Sequence, residues 1–177
     1  MSLMFKSTAI RFTIIASMFV PTEVQAQDTL AVFFGVVKDI TTHEVLDGVH
    51  VEALDLKWGR RVIAITGDSG RYQINFTSEA DYLLEYSAPG HVPKRIRLKL
   101  FGPTPEDWAG GFGMNVDVTL FRDLPDLDLT FHGEPFGICA YDADSGNFRW
   151  DLAYTERMRE RAAKRMKAYE KRIAKKP

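Results

Sequence analysis

Between Ala31 and Phe121 the chain alternates apolar and polar residues with a period of two, and this constrains its fold more than any other feature. Val49, Val51 and Ala53 alternate with His50 and Glu52, and Tyr72, Ile74 and Phe76 with Arg71, Gln73 and Asn75. Ile96, Leu98 and Leu100 alternate with Arg95, Arg97 and Lys99, and Met114, Val116, Val118 and Leu120 with Asn115, Asp117 and Thr119. Successive side chains of a strand point to opposite faces, so each segment buries one face and wets the other, as in antiparallel sheets. Further strands fit residues 31–38, 61–66 and 82–87. Asp47-Gly48, Asp68-Ser69-Gly70 and Pro89-Gly90 punctuate the pattern with residues suited to tight turns. Seven short strands at this spacing predict an all-β, antiparallel sandwich of two sheets, and no helical period precedes residue 150. The outward charges of the last two strands, Arg95, Arg97 and Lys99 against Asp117, predict that these two pair.

The flanks differ from this body. Lys6 and Arg11 precede an apolar run over 12–20, Pro21 breaks it, and Val24-Gln25-Ala26 ends on a small residue. That order predicts a secretory signal peptide over 1–26, with the mature chain starting at Gln27. The run is about half of the ~20 residues needed to cross a bilayer, so export rather than anchoring is expected. Cys139 is the chain's one cysteine, which excludes an internal disulfide and leaves a buried, inert thiol as the expectation. The sandwich is expected to fill 27–121. Residues 122–150 follow as an acidic crossover and a hairpin around Asp142-Ala143-Asp144-Ser145-Gly146-Asn147.

Residues 151–177 read as a helix, with Asp151 capping its first turn. Tyr154, Met158, Ala162, Met166, Tyr169 and Ile173 form a thin apolar stripe on a basic rod. Residues 27–154 carry 11 Lys/Arg and 20 Asp/Glu, a net of −9; residues 155–177 carry 10 Lys/Arg and 3 Glu, a net of +7. Arg157, Arg161, Lys164, Arg165, Lys171 and Arg172 are therefore candidate contacts for an anionic membrane surface, each adding about 1 kcal/mol near charged lipid. Docking on the protein's own acidic body or on a partner's acidic groove, or a solvated helix, are the other readings. The stripe has no Trp, Phe or Leu after Leu152, which argues against deep insertion. An exported chain rarely meets nucleic acid, so none is expected as a partner.

Candidate chemistry is sparse. His43, His50, His91 and His132 have no second ligand at helical metal-binding spacing, and no metal or cofactor is expected. Asp142-x-Asp144-x-Gly146 lacks most of a calcium loop's oxygens, and turn chemistry explains it. Ser69 and Ser145 sit outside any nucleophile elbow. The loop 101–113, with Trp108 and Phe112, is too glycine-rich for a strand. It either caps the sandwich or forms a binding surface.

The order of several segments carries a family resemblance. Gly35-Val36-Val37-Lys38-Asp39, Leu46-Asp47-Gly48-Val49-His50-Val51 and Thr66-Gly67-Asp68-Ser69-Gly70-Arg71-Tyr72-Gln73-Ile74 come first. Tyr82-Leu83-Leu84-Glu85-Tyr86-Ser87 and Gly90-His91-Val92 follow. Together they resemble the carboxypeptidase regulatory-like domain over about residues 31–100. The resemblance implies a seven-stranded antiparallel Greek-key β-sandwich of prealbumin type, acting as an accessory module without chemistry of its own. His91 departs from it, standing where the family often has an aromatic. The segment Gly146-Asn147-Phe148-Arg149-Trp150-Asp151 with its basic tail resembles the C-terminal part of bacterial envelope proteins. That likeness implies a periplasmic or outer-envelope location, with proteins or glycans of the envelope as partners.

Overall fold

The computed structural model describes residues 29–174, so the expected signal peptide and residues 175–177 of the tail lie outside the described residues. Eleven strands are described: β1 (Ala31–Asp39), β2 (His50–Asp55), β3 (Arg61–Ile65), β4 (Arg71–Phe76), β5 (Asp81–Ser87) and β6 (His91–Val92). β7 (Lys94–Lys99), β8 (Phe112–Asn115), β9 (Val118–Arg122), β10 (Ile138–Asp142) and β11 (Asn147–Trp150) complete them. Two helices, α1 (Pro105–Ala109) and α2 (Leu152–Ile173), accompany the strands.

The strands make two sheets. One runs β4-β1-β9-β6 with β8 also beside β1; the other runs β11-β10-β7-β5-β2-β3. Burial follows the alternation, alternating exposed and buried along β4 and half-buried and buried along β5. The inward residues of both sheets meet in one core: Phe33, Ile74, Phe76 and Leu120 from the first, Val51, Leu84, Tyr86 and Leu98 from the second. Each large buried side chain contributes about 1.5–3 kcal/mol, so this shared interior dominates the stability of the body. Within it the Tyr72 hydroxyl donates to the Val116 carbonyl at 2.8 Å and meets the Tyr86 hydroxyl at 2.8 Å, linking the two layers.

Three expectations need correction. The sheets are not wholly antiparallel: β1 runs parallel to β8 and β9, and β7 runs parallel to β10. A parallel neighbour needs a long return path. Residues 100–137 supply it for β10 by passing through the other sheet before coming back. The strand expected over 114–120 is broken in two, and short elements β6 and α1 occur where no regular structure was expected. Finally, Asp117 does not pair with β7. Arg97 instead grips Asp81 with a two-bond fork (2.9 and 2.6 Å) and Arg95 bonds Glu85 at 2.6 Å, because β5 is the neighbour of β7.

The break lies opposite Gly35. The Val116 N–H donates to the Phe34 carbonyl at 2.8 Å, ending the β8 ladder, and the Val116 carbonyl then turns across Gly35. Asp117 takes over as acceptor, its Oδ1 receiving the Val36 N–H at 2.9 Å before β9 resumes the pairing at Val37. A Cβ on residue 35 would overlap the Val116 carbonyl oxygen and carbon, both of them backbone.

The basic helix is part of the folded body. Asp151 caps it as expected, accepting the Tyr154 N–H at 2.8 Å. Its apolar stripe lies on a second core in which Ala162 and Tyr169 join Val92, Phe121, Leu129 and Phe131, with Met166 and Ile173 packed alongside. Leu124 and Leu127 of the acidic crossover pack there too, which gives that segment a structural role. The hairpin β10–β11 extends the six-stranded sheet from β7.

Gly35→Ala should cost about 2–3 kcal/mol in urea unfolding, since overpacking against backbone cannot relax by a rotamer change. Tyr72→Phe should cost about 1–3 kcal/mol by the same measurement, because it strips a buried hydrogen bond from the Val116 carbonyl and the Tyr86 hydroxyl.

Candidate binding surface

The first sheet ends in β4, whose outward residues Arg71, Gln73 and Asn75 are polar, and in β6, which is only two residues long. Both features discourage edge-to-edge pairing. The second sheet ends differently. After Arg61, β3 reads Val62-Ile63-Ala64-Ile65, with neither charge nor proline. Ile63 and Ile65 are each 58% exposed, and nearby Trp58 is 65% exposed. Leu56, Val62 and Phe34 add further exposed apolar area.

The register decides which backbone groups face outward. Thr66 N donates to Val49 O and Asp55 N to Arg60 O, so the bonded pairs of the β2–β3 ladder alternate inward from these ends. Val62 and Ala64 therefore spend their backbone groups on β2, while those of Arg61, Ile63 and Ile65 point to the open edge. Beside this edge lies a groove of about 610 Å³ lined by Phe34, Ile65, Arg71, Gln73, Asn115 and Asp117, among others. An unblunted edge with apolar side chains beside a groove can accept an added strand from another chain.

The residues singled out from the sequence fall elsewhere. Trp108, on α1, is 9% exposed; its ring packs edge-on against Phe112 at 5.3 Å and tilted against Phe148 at 6.0 Å. Its indole N–H donates to Glu79 at 3.0 Å. Phe112 in turn packs edge-on against Phe148 and Tyr141, so the loop 101–113 caps the core. Of the helix cations, Arg161 makes a fork to Glu134 (2.6 and 3.0 Å), and Arg165 and Arg157 lie over the rings of Phe131 and Tyr154. Lys164, Lys171 and Arg172 are exposed.

Asp142 and Cys139 are occupied locally. Asp142 accepts from Ser145 Oγ at 2.9 Å, from the Asp144 N–H at 3.2 Å and from Arg149 at 3.3 Å. Cys139 is fully buried, and burial pushes its thiol up to about 12. His50 and His43 are exposed.

His91 explains its departure from the resemblance. Its Nε2 lies 3.2 Å from Asp39 Oδ2, which also receives Arg122 Nε at 2.7 Å. The other oxygen of Asp39 accepts the N–H groups of Thr41 (2.6 Å) and Thr42 (2.9 Å). The Tyr169 hydroxyl closes the cluster, 2.9 Å from Thr41 Oγ1 and accepting the Arg122 N–H at 3.2 Å. Asp39 is 2% exposed. Burial alone would raise its pKa, but the bond from Arg122 and those from Thr42, Thr41 and His91 outweigh it and hold the carboxyl far below the usual carboxylate range. The cluster ties β1, β6, β9 and α2 together.

The edge was missed in the sequence, although one signal marked it. Residues 62–65 form the expected strand without polar alternation, as an edge does when its outer face is apolar too.

No protein-family model matches the chain, and neither does any curated protein. Among solved structures, chlorocatechol 1,2-dioxygenase from Pseudomonas putida overlaps with a TM-score of 0.38 at 13% identity, covering 54% of this chain and 61% of that one. A candidate carbohydrate-binding protein from Bacteroides uniformis overlaps at 0.38 and 16%, covering 53% and 42%. The Bacillus anthracis TIE protein overlaps at 0.37 and 15%, covering 53% and 17%. The chain thus spans less than two thirds of the length of each, and likeness at this level carries no argument about activity.

Asp39→Asn should destabilise the protein by about 2–4 kcal/mol at pH 7, as breaking one side of a buried ion cluster does. Because the folded pKa of Asp39 is depressed, its contribution is present above the unfolded value near 4 and is lost as the pH falls below it. Urea titrations between pH 7 and pH 3 should therefore show a shallower acid decline in the variant.

Proposed function

We propose that this chain is an exported, non-enzymatic accessory module of the bacterial cell envelope that binds a protein partner along the edge of β3. The observation that carries this reading is an edge strand whose outward backbone groups and whose Ile63 and Ile65 side chains face solvent together. The resemblance to carboxypeptidase regulatory-like domains, with their seven-stranded Greek-key core of prealbumin type, supports an accessory role. So do the burial of the Cys139 thiol and the local use of Asp142 in its own turn. A glycan partner would call for hydrogen-bonding groups beside an aromatic ring, which the adjoining groove offers in Phe34, Arg71, Gln73 and Asn115, whereas the edge itself offers backbone groups flanked by Ile63 and Ile65 and suits a partner strand. Export rests on the order of charge, apolar run and small residue over 1–26.

A second reading has its own observation. Docking of α2 turns Lys164, Lys171 and Arg172 outward on one helix, a distribution suited to an anionic surface. Truncation of the tail would remove Tyr169 and the second core, so charge reversal is the cleaner probe. Lys164→Glu, Lys171→Glu and Arg172→Glu combined should release the protein from envelope membranes in low salt if tethering operates; unchanged fractionation counts against it.

A photo-crosslinking residue at position 63 should give a discrete heavier species in living cells, whereas one at position 73 on the polar edge β4 should not. Ile65→Lys should abolish that species while leaving the melting temperature within a few degrees. Equal adducts at both positions, or none at either, contradict the edge reading. Intact mass of the envelope form should start at Gln27; a full-length cytoplasmic species contradicts export.

A further inference from the structure

β7 carries an inward cation. Its outward residues are Arg95, Arg97 and Lys99, and its inward ones are Ile96 and Leu98, so Lys94 lies on the inward register between the sheets. The amine donates to the Thr119 carbonyl of β9 at 3.3 Å and stands 5.3 Å from the ring centroid of Phe136. Among the described residues no carboxylate lies within ion-pair distance of it. An ammonium has three donors, and one carbonyl satisfies one of them.

This amine faces a cleft of about 420 Å³. β7 and the β8–β9 break form its walls, and the first turns of α2 form its roof through Thr155 and Met158. Trp150 and Phe136 give it aromatic sides. The remaining charged groups on its lining are Asp117 and Arg159, and Arg159 is paired with Glu156 along the helix at 3.5 Å. The volume is that of a small-ligand site, which is typically about 300–1,000 Å³ and mostly apolar with a few polar anchors.

The shape and the chemistry select a ligand. A withdrawn cation is costly unless an anion joins it, and aromatic and aliphatic walls favour an apolar body. A neutral sugar would leave the ammonium without a counter-charge. A phosphate would be expected to meet the guanidinium fork that such groups favour, and the one guanidinium on the lining, Arg159, is exposed and paired with Glu156 along the helix. We propose that the cleft beneath α2 binds a small apolar monocarboxylate whose carboxylate pairs with Lys94. The cleft shares Asn115 and Asp117 with the groove beside β3 but includes neither Ile63 nor Ile65, so the edge and the cleft can be tested independently. It also gives α2 a function beyond packing, since the cleft has no roof unless the helix is docked.

Calorimetric titration of the full-length protein with 4-phenylbutyrate, and with its neutral counterpart 4-phenylbutyramide, tests the assignment. The carboxylate should bind at least tenfold more tightly than the amide at pH 7. Lys94→Met should erase that preference while retaining or raising the melting temperature, because it removes a half-buried, poorly paired charge. Burial lowers the pKa of Lys94 to about 8, so affinity for the carboxylate should weaken as the pH rises through that value. If Lys94→Met fails to fold, the carbon-13 shift of the Lys94 Cε in the native protein serves instead, and it should move with phenylbutyrate and not with the amide. Equal binding of acid and amide, binding indifferent to Lys94→Met, or no binding of either up to the solubility limit would overturn the proposal.

Discussion

β1 is the member on which the other pairings depend. It lies beside β4 on one side and is shared by β8 and β9 on the other, and the change of partner is possible because residue 35 has no side chain. The Val116 carbonyl crosses at that point and receives the Tyr72 hydroxyl, which in turn meets Tyr86 in the opposite sheet. A local backbone crossing is thus continuous with the bond that links the two layers. The same break takes Asp117 out of the ladder and, with Asn115 at the end of β8, into the linings of both the groove beside β3 and the cleft beneath α2. Breaks and bulges of this kind recur beside functional surfaces because they redirect side chains.

The regular parts of the fold were readable from the sequence because a period of two with one wet face has few alternatives. The strands over 72–76, 82–87 and 96–99 follow directly from it, and so does the register that buries Ile74, Leu84 and Leu98. The helix stripe was readable in the same way, and four of its six residues, Ala162, Met166, Tyr169 and Ile173, meet the second core. Pairing partners were not. Alternation gives the face of a strand but not its neighbour, so matching Arg95 and Arg97 to Asp117 by charge alone chose the wrong strand. The Asp39 cluster was hidden because its members lie far apart in sequence, and each taken singly looks like a surface residue.

The surfaces were legible only through what broke the pattern. Residues 62–65 show apolar side chains on both faces, and Lys94 stands two residues before Ile96 on an inward register. The conspicuous aromatic Trp108, by contrast, is spent on closing the core. An exposed apolar edge and an inward cation each cost stability in an isolated domain, and local rules tend to be violated where function requires it. The basic tail illustrates the opposite case. Its charge suggested an appendage, but its buried stripe makes it a structural wall that leaves Lys164, Lys171 and Arg172 facing out.

Residues 29–174 form one body, helix included, and β3 presents an unblunted apolar edge to a partner. Amide hydrogen exchange on the isolated full-length protein, resolved by residue, tests it most directly. The amides of β1, β5, β7 and the segment 158–169 of α2 should exchange together and slowly, while Ile63 and Ile65 exchange rapidly beside protected Val62 and Ala64. A helix that exchanges within seconds while the sheets stay protected, or Ile63 and Ile65 as slow as their neighbours, would contradict it.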